Sequence, residues 1–409
     1  MGAGQPALLI VGGGINGAGL DCVTFAKEYG FRVIVTETAE RLAAAPQVVA
    51  RADLAVELDR TDIDGHVAWA KAYSARENLA GVYCFREWAV PTTAAVAEAL
   101  GLPGSPFAAA SLVRDKFRCR ERLRERGFAQ PRAALCAGVD DATAFVSRVP
   151  GPWVVKPTNT HGSLGVTVVR RVDDVAAAVA VLPPAHRQHF IVEEFQPGTE
   201  YSADGLFVDG RPHVLALFVK TPLRDSILVE QITAPAPLPP DLAEQATRVV
   251  RDGLGAAGLT FGAFHVEFWI HDGRVVLGEL HNRPAGSARD MFVKLVETVS
   301  GVNVHRAVFE QLLGRRPDLT GPAAAAAGTY MDVYAAPGVV QPGLSAEAVA
   351  DDPACLSLYV SVRPGDHVRE LRQEGDMPAM LTAAGSSGPD SRRHAMRLAD
   401  LLALSTAPD

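Results

Sequence analysis

Between Phe264 and Gly286 the chain reads F-H-V-E-F-W-I-H-D-G-R-V-V-L-G-E-L-H-N-R-P-A-G. Phe264, Val266, Phe268 and Ile270 alternate with His265, Glu267 and Trp269, the period-two pattern of a half-buried strand. Asp272-Gly273 is a hairpin turn signal. A second alternating run follows, expected to carry Val275, Leu277, Glu279 and His281 on one face. Two carboxylates thus approach each other on adjacent strands in apolar surroundings. Buried carboxylates repel unless a cation stands between them. Magnesium suits that place, because it prefers carboxylate oxygens and bridges to substrate phosphates. Arg283, just beyond, has the fork of donors that holds a phosphate or carboxylate. A surface hairpin with solvated acids would read the same way, so this stretch alone leaves both readings open.

A shared ion puts a condition on the turn. Side chains alternate faces along a strand, and directly opposed residues share a face. A two-residue Asp272-Gly273 turn pairs Glu267 with Gly278 and sends Glu279 to the opposite face. The expectation is therefore a loop of odd length, with Gly273 in the left-handed region. Glu267 then pairs with Leu277 or Glu279, His281 joins the metal face and Asn282 does not.

At 409 residues the chain exceeds one ordinary core, and two to four lobes are expected. Leu8–Val11 reads as a strand, followed by Gly12, Gly14 and Gly17 in G-x-G-x-x-G order, a helix to Tyr29, and a strand from Arg32 to Glu37. This βαβ pattern fits a dinucleotide fingerprint, with Glu37 on a ribose, yet any tight strand-to-helix turn favours glycines. The first hundred residues read as a small parallel α/β domain. Val113–Gly127 is expected as one basic helix, with Lys116 near its start. Trp153–Val155 is a strand ending at Lys156-Pro157, followed by the small-residue loop T-N-T-H-G-S-L-G. Backbone N–H groups of such a loop surround phosphate oxygens, with the lysine as a point charge, although no Walker G-K-[ST] closes it. An ordinary hairpin loop is the competing reading. Further on, helices are expected over Leu242–Ala257 and Asp290–Leu313, a substrate-side loop over Pro222–Pro239, and a final helix over Asp390–Leu404.

The order of these pieces resembles the ATP-grasp superfamily, and within it the carboxylate–amine ligases that join amino acids or short peptides. The resemblance spans essentially the whole chain. It implies an ATP-grasp fold of mixed α/β and α+β type in four parts: a Rossmann-like N-terminal domain at 1–105, a small lobe with the phosphate loop at 106–189, a large lobe with the metal site at 190–322, and a small β-rich C-terminal α+β lobe at 323–409. By resemblance, Lys116 and Lys156 hold the ATP phosphates, and Gly162, Ser163 and Gly165 close over them. Glu193, Glu194 and Gln196 form the hinge strand whose backbone reads adenine, and Glu200 accepts from the ribose hydroxyls. Glu267 and Glu279 bind Mg2+, and Arg283 steadies an acyl phosphate. His281 stands where the superfamily usually has Asn; its imidazole is a poorer magnesium ligand than an amide oxygen, and it either ligates or faces the substrate. Leu164 stands where relatives often have a basic or polar residue. In this superfamily the N-terminal glycine loop binds no dinucleotide and helps line a substrate pocket.

The implied activity is ATP-dependent amide or peptide bond formation through an acyl phosphate, with ADP as product and a small-molecule acid and amine as substrates. The alternatives are a biotin-carboxylase-like or purine-pathway ATP-grasp reaction, a nucleotide-binding regulatory protein without turnover, and an NAD(P)-dependent oxidoreductase. A net charge of −8 argues against a nucleic-acid partner. No apolar run is long enough to span a bilayer, and no basic leader precedes an apolar segment. Five scattered cysteines read as reduced thiols of a cytoplasmic protein. Homodimerisation stays open.

Overall fold

The computed structural model describes residues 4–223, 228–286, 290–371 and 376–408. The N-terminal part is a parallel four-stranded sheet, ordered Leu54–Glu57, Arg32–Glu37, Ala7–Val11, Leu79–Tyr83. Its central strand, A-L-L-I-V, is buried at every residue, as a strand covered by helices on both faces must be. A second, antiparallel four-stranded sheet contains Ala133–Cys136, Phe190–Glu194, Trp153–Pro157 and Thr167–Val169 in that order. The third sheet has eight strands. It starts with the hairpin Arg274–His281 and Ala263–His271, continues through Thr199–Val208, Arg211–Pro222 and Val229–Ala234, and ends with Ala327–Val333, Ala379–Gly385 and Cys355–Val360. The expected division at 322/323 falls between two strands of this sheet that pair directly, Val229–Ala234 and Ala327–Val333.

The helix Pro240–Ala257 shows how sequence sets packing here. Ala246, Val250, Gly253, Leu254 and Ala257 form one buried stripe at helical spacing. The stripe lies on the hairpin, where Gly253 has no room for a side chain because a Cβ would come within 2.4 Å of Leu277. Leu254, Leu277 and Phe268 share that core, each contributing about 2 kcal/mol of apolar burial. Gly258 ends the helix in the left-handed region at φ 83°.

Three expected elements differ. The basic helix is two, Phe107–Arg114 and Lys116–Glu125, because Asp115 is extended and caps the second by accepting from Arg118 N–H. Lys116 is thereby the first residue of a helix. The expected helix Asp290–Leu313 is also two, Met291–Ser300 and Val304–Leu312. Gly301, at φ 76°, ends the first, and the Asn303 side chain caps the second. The expected loop Pro222–Pro239 contains the strand Val229–Ala234, and its residues 224–227 lie outside the described residues.

Candidate functional site

The hairpin closes with the two-residue turn. His271 pairs with Arg274, and Asp272 and Gly273 have φ of 49° and 72°, the paired positive values of a type I′ turn. The expected odd-length loop is therefore wrong. A β-bulge supplies the missing residue instead. Phe268 pairs with Leu277, but Val266 pairs with Leu280, so Gly278 and Glu279 together oppose Glu267. A side chain at Gly278 would collide with the Trp269 ring at 2.4 Å and the Glu267 carbonyl oxygen at 2.8 Å. The bulge reverses the alternation partway along the strand. Val275, Leu277 and Leu280 join the apolar core, correcting the expectation that Leu277 shares a face with Glu279. Ligand atoms of Glu267, Glu279 and His281 lie within 4.8 Å of one another. Asn282 turns away, donating to the carbonyls of Phe261 and Ala263 at 2.8 and 3.2 Å.

Lysines surround these acids. Lys116 Nζ lies 3.1 Å from Glu279 Oε2. Lys156 Nζ lies 3.3 Å from Glu279 Oε1 and 2.8 Å from Glu193 Oε1. Lys220 bridges Glu200, at 2.6 Å, and Glu267. Burial alone would lower the Lys156 pKa, but Glu193 and then Glu279 outweigh it and raise it. Burial would likewise raise Glu279, and Lys116 and Lys156 hold it below the usual carboxylate range. Glu267 is held down by Lys220 and His265 against its own burial, whereas burial keeps Glu200 raised despite Lys220. The cluster is thus a set of partly buried opposite charges that satisfy one another.

A second network fixes the far end of the hairpin. Glu87, from the N-terminal domain, accepts from Arg114 at 2.8 Å, from Arg283 Nε and from His281 Nδ1 at 2.9 Å. With Nδ1 so held, His281 turns Nε2 toward Glu279, 3.7 Å away. His265 stacks on His281 and lies 3.1 Å from both oxygens of Asp204.

The loop after Lys156 is tied to the first helix residue: Lys116 N–H donates to Thr158 O at 2.9 Å and Lys116 Nζ to Thr160 O at 2.6 Å. Gly162, Ser163 and Gly165 all have left-handed φ, 63°, 59° and 76°, and a Cβ at Gly165 would meet Pro183 at 2.8 Å. His161 accepts from the Trp88 indole at 2.7 Å, and Arg114 lies over the Trp88 ring. Glu193 does not face open space; it is buried beneath Lys156 and clamped by Arg120, itself 2% exposed. Glu194 is engaged by Arg132. No hydrogen bond among the described residues joins Glu194 or Gln196 to the lysine–carboxylate cluster.

Sequence reasoning missed Lys220, Glu87 and Arg120. Lys220 had a signal, as one charge ending the apolar run Val214–Val219. Glu87 and Arg120 had none, since their partners lie 157 to 196 residues away or in unrelated motifs.

Three family models match in chain order: an ATP-grasp N-terminal domain at 23–104, an ATP-grasp domain at 149–289, and an L-amino acid ligase C-terminal domain 2 at 333–407. The crystal structure of L-amino acid ligase from Bacillus licheniformis superposes with a TM-score of 0.79, covering 100% of both chains at 19% identity, and establishes the fold. Carnosine synthase 1 of Gallus gallus is 28% identical over 308 residues, 69% of this chain and 33% of that protein. Alanine–anticapsin ligase of Bacillus amyloliquefaciens is 25% identical over 245 residues, 54% of this chain and 51% of that protein. The chain spans 33% to 57% of the length of the first curated relatives it matches. No helix among the described residues is long and apolar enough to cross a membrane.

Proposed function

We propose that this chain, a member of the ATP-grasp superfamily, is an ATP-dependent carboxylate–amine ligase that joins amino acids or small carboxylic acids through an acyl phosphate and releases ADP. The observation that carries the reading is the convergence of Lys116, Lys156 and Lys220 on Glu200, Glu267 and Glu279 beside Arg283 and the glycine-rich loop. The match of the C-terminal region to the L-amino acid ligase model supports an amino-acid substrate over a purine-pathway or carboxylation reaction. The two carboxylates of Glu267 and Glu279 are hard oxygen donors that fit Mg2+, with His281 Nε2 turned toward them as a weaker third donor. When bound by Glu267, Glu279 and His281, the metal supplies charge neutralisation to the phosphates.

Phosphoryl transfer asks the protein for positioning and charge. Lys116 and Lys156 bind phosphate oxygens, with Glu193 and Arg120 fixing Lys156 from below. Lys220 adds a third ammonium from the sheet. The substrate carboxylate attacks the γ-phosphorus and displaces ADP. Arg283, oriented by Glu87, holds the acyl phosphate as the amine nitrogen attacks its carbonyl carbon and phosphate leaves. The loop Thr160–Gly165 excludes water from that intermediate. Glu194, Gln196 and the backbone beside them take the adenine, and Glu200 the ribose. A matrix of carboxylic acids against amino acids, scored by ADP and phosphate release, tests the reading. Turnover that requires both partners supports it, whereas equal ATP hydrolysis with and without an acid would defeat it.

A further inference from the structure

The strand Arg274–His281 is the outermost of the eight-stranded sheet, so its outward backbone groups need partners from elsewhere. The Leu277 carbonyl, immediately before the bulge at Gly278 and Glu279, has such a partner. Gln130 Nε2 donates to it at 3.0 Å, and Arg120 Nη1 lies 3.5 Å away. Gln130 belongs to neither the hairpin nor the phosphate loop. It stands between the helix Lys116–Glu125 and the strand Ala133–Cys136, which opens the second sheet.

The Gln130 amide is fully committed. Its Nε2 also donates to Ala129 O at 2.7 Å, and its Oε1 accepts from Arg120 Nη1 at 3.0 Å. Carbonyls only accept and a guanidinium only donates, so one orientation of the amide satisfies all three partners. Arg120, 2% exposed, turns its other nitrogens to the two oxygens of Glu193. Glu193 Oε1 lies 2.8 Å from Lys156 Nζ, and Lys156 Nζ lies 3.3 Å from Glu279 Oε1. Glu279 is joined to Leu277 through Gly278 alone. The contacts therefore close a ring. Arg120 holds Lys156 through Glu193 and, with Gln130, holds Glu279 through the backbone of Leu277.

The ring acts where the hairpin is weakest. A bulge disrupts the ladder locally, and Gly278 brings no side chain to anchor it. A slip of one residue would restore a regular hairpin and turn Glu279 to the apolar face. A donor fixed on the Leu277 carbonyl opposes that slip.

We propose that Gln130 is a positioning residue for Glu279: its amide, seated on Arg120, pins the bulge and keeps the carboxylate on the metal face when Lys156 leaves it for phosphate. The lysine that grips nucleotide and the carboxylate that grips Mg2+ are then set by one amide–guanidinium pair, which couples the binding of metal to that of nucleotide. The inference rests on the reading above for the roles of Lys156 and Glu279, and on the ring of contacts for the role of Gln130.

The test titrates ADP calorimetrically into the full chain with and without Mg2+, which needs neither turnover nor knowledge of the acid and amine. Wild type should bind ADP about tenfold more tightly with Mg2+. Gln130→Glu keeps an oxygen toward Arg120 but offers no N–H to the Leu277 carbonyl. Its metal-free ADP affinity should stay within about twofold of wild type, while the gain from Mg2+ falls below about threefold. Gln130→Met, which brings no charge, repeats the measurement if the carboxylate variant does not fold, with the melting temperature as the control. Affinities that fall together with the Mg2+ gain intact make Gln130 a structural residue and overturn the proposal. So does a variant indistinguishable from wild type, or a wild type without a Mg2+ gain. If MgADP binds but no acid–amine pair yields ADP from ATP, the ligase reading alone fails and the comparison of variants decides as before. A wild type that binds no ADP refutes both.

Discussion

Glu267 and Glu279 share a face of the hairpin because one extra residue at Gly278 shifts the register between them, not because of the turn that joins their strands. The type I′ turn alone would set Glu267 against Gly278 and leave Glu279 on the apolar side. The bulge is the device that converts a regular hairpin into a two-carboxylate site.

Gly278→Ala should damage both stability and the site. The added methyl has no room between Trp269 and the Glu267 carbonyl, and overpacking of this kind costs about 1–3 kcal/mol. Urea unfolding should show the loss, and the requirement for magnesium in ATP turnover should rise. Unchanged stability together with an unchanged magnesium requirement would show that the bulge does not depend on glycine.

Lys156→Ala should abolish ligation and weaken ATP binding while the fold survives. Lys220→Met makes a sharper test of the lysine missed in sequence. It leaves Glu200 and Glu267 facing each other without their shared cation, a loss of up to about 3–5 kcal/mol for a fully buried pair and less at this partial exposure. Adding Glu200→Gln should recover most of that stability. Additive losses in the double variant would mean that Lys220 does not mediate between the two acids.

The contact between Trp88 and His161 predicts a pH dependence. The indole N–H donates to His161 Nε2, so the imidazole must be neutral. Loss of water on the side of the ring that faces Trp88, then the charge of Arg283, lower its pKa from 6.5 to about 4, while the rest of the ring stays exposed. Because the folded value lies below the unfolded one, the unfolded chain takes up the proton first as pH falls. The stability contribution is therefore complete above pH 6.5 and declines toward pH 4. The difference in unfolding free energy between wild type and His161→Gln should shrink from pH 7 to pH 5, and a constant difference would contradict the assignment.

The N-terminal glycines should not bind a dinucleotide. Glu37, the residue that would hold a ribose, is fully buried, accepts from Thr38 N–H and pairs with Arg60. MgATP should raise the melting temperature by mass action and NAD(P) should not. Stabilisation by NAD(P) and not by MgATP would reverse the functional assignment.

Much of the architecture is legible in the residues themselves. The alternation of Phe264, Val266, Phe268 and Ile270, the lysine ending the strand at Pro157, and the stripe on Pro240–Ala257 each encode a local period that burial then selects. The helix breaks at Asp115 and at Gly301–Asn303 were also readable, since capping residues stand at both. The bulge was not, because a glycine inside a strand signals only weakly and the collision that demands it comes from Trp269 across the ladder. Nor were the Glu87 and Lys220 networks, whose partners are brought together only by the tertiary fold.

The central claim is that a carboxylate of one substrate is phosphorylated before the amine attacks. It is tested most directly by supplying a carboxylic acid labelled with oxygen-18 in its carboxylate, together with ATP and an amine, and analysing the released phosphate by mass spectrometry. One labelled oxygen should pass to inorganic phosphate for every amide formed, with ADP as the nucleotide product. Amide formation with unlabelled phosphate, or with AMP and pyrophosphate as products, would contradict the acyl-phosphate account.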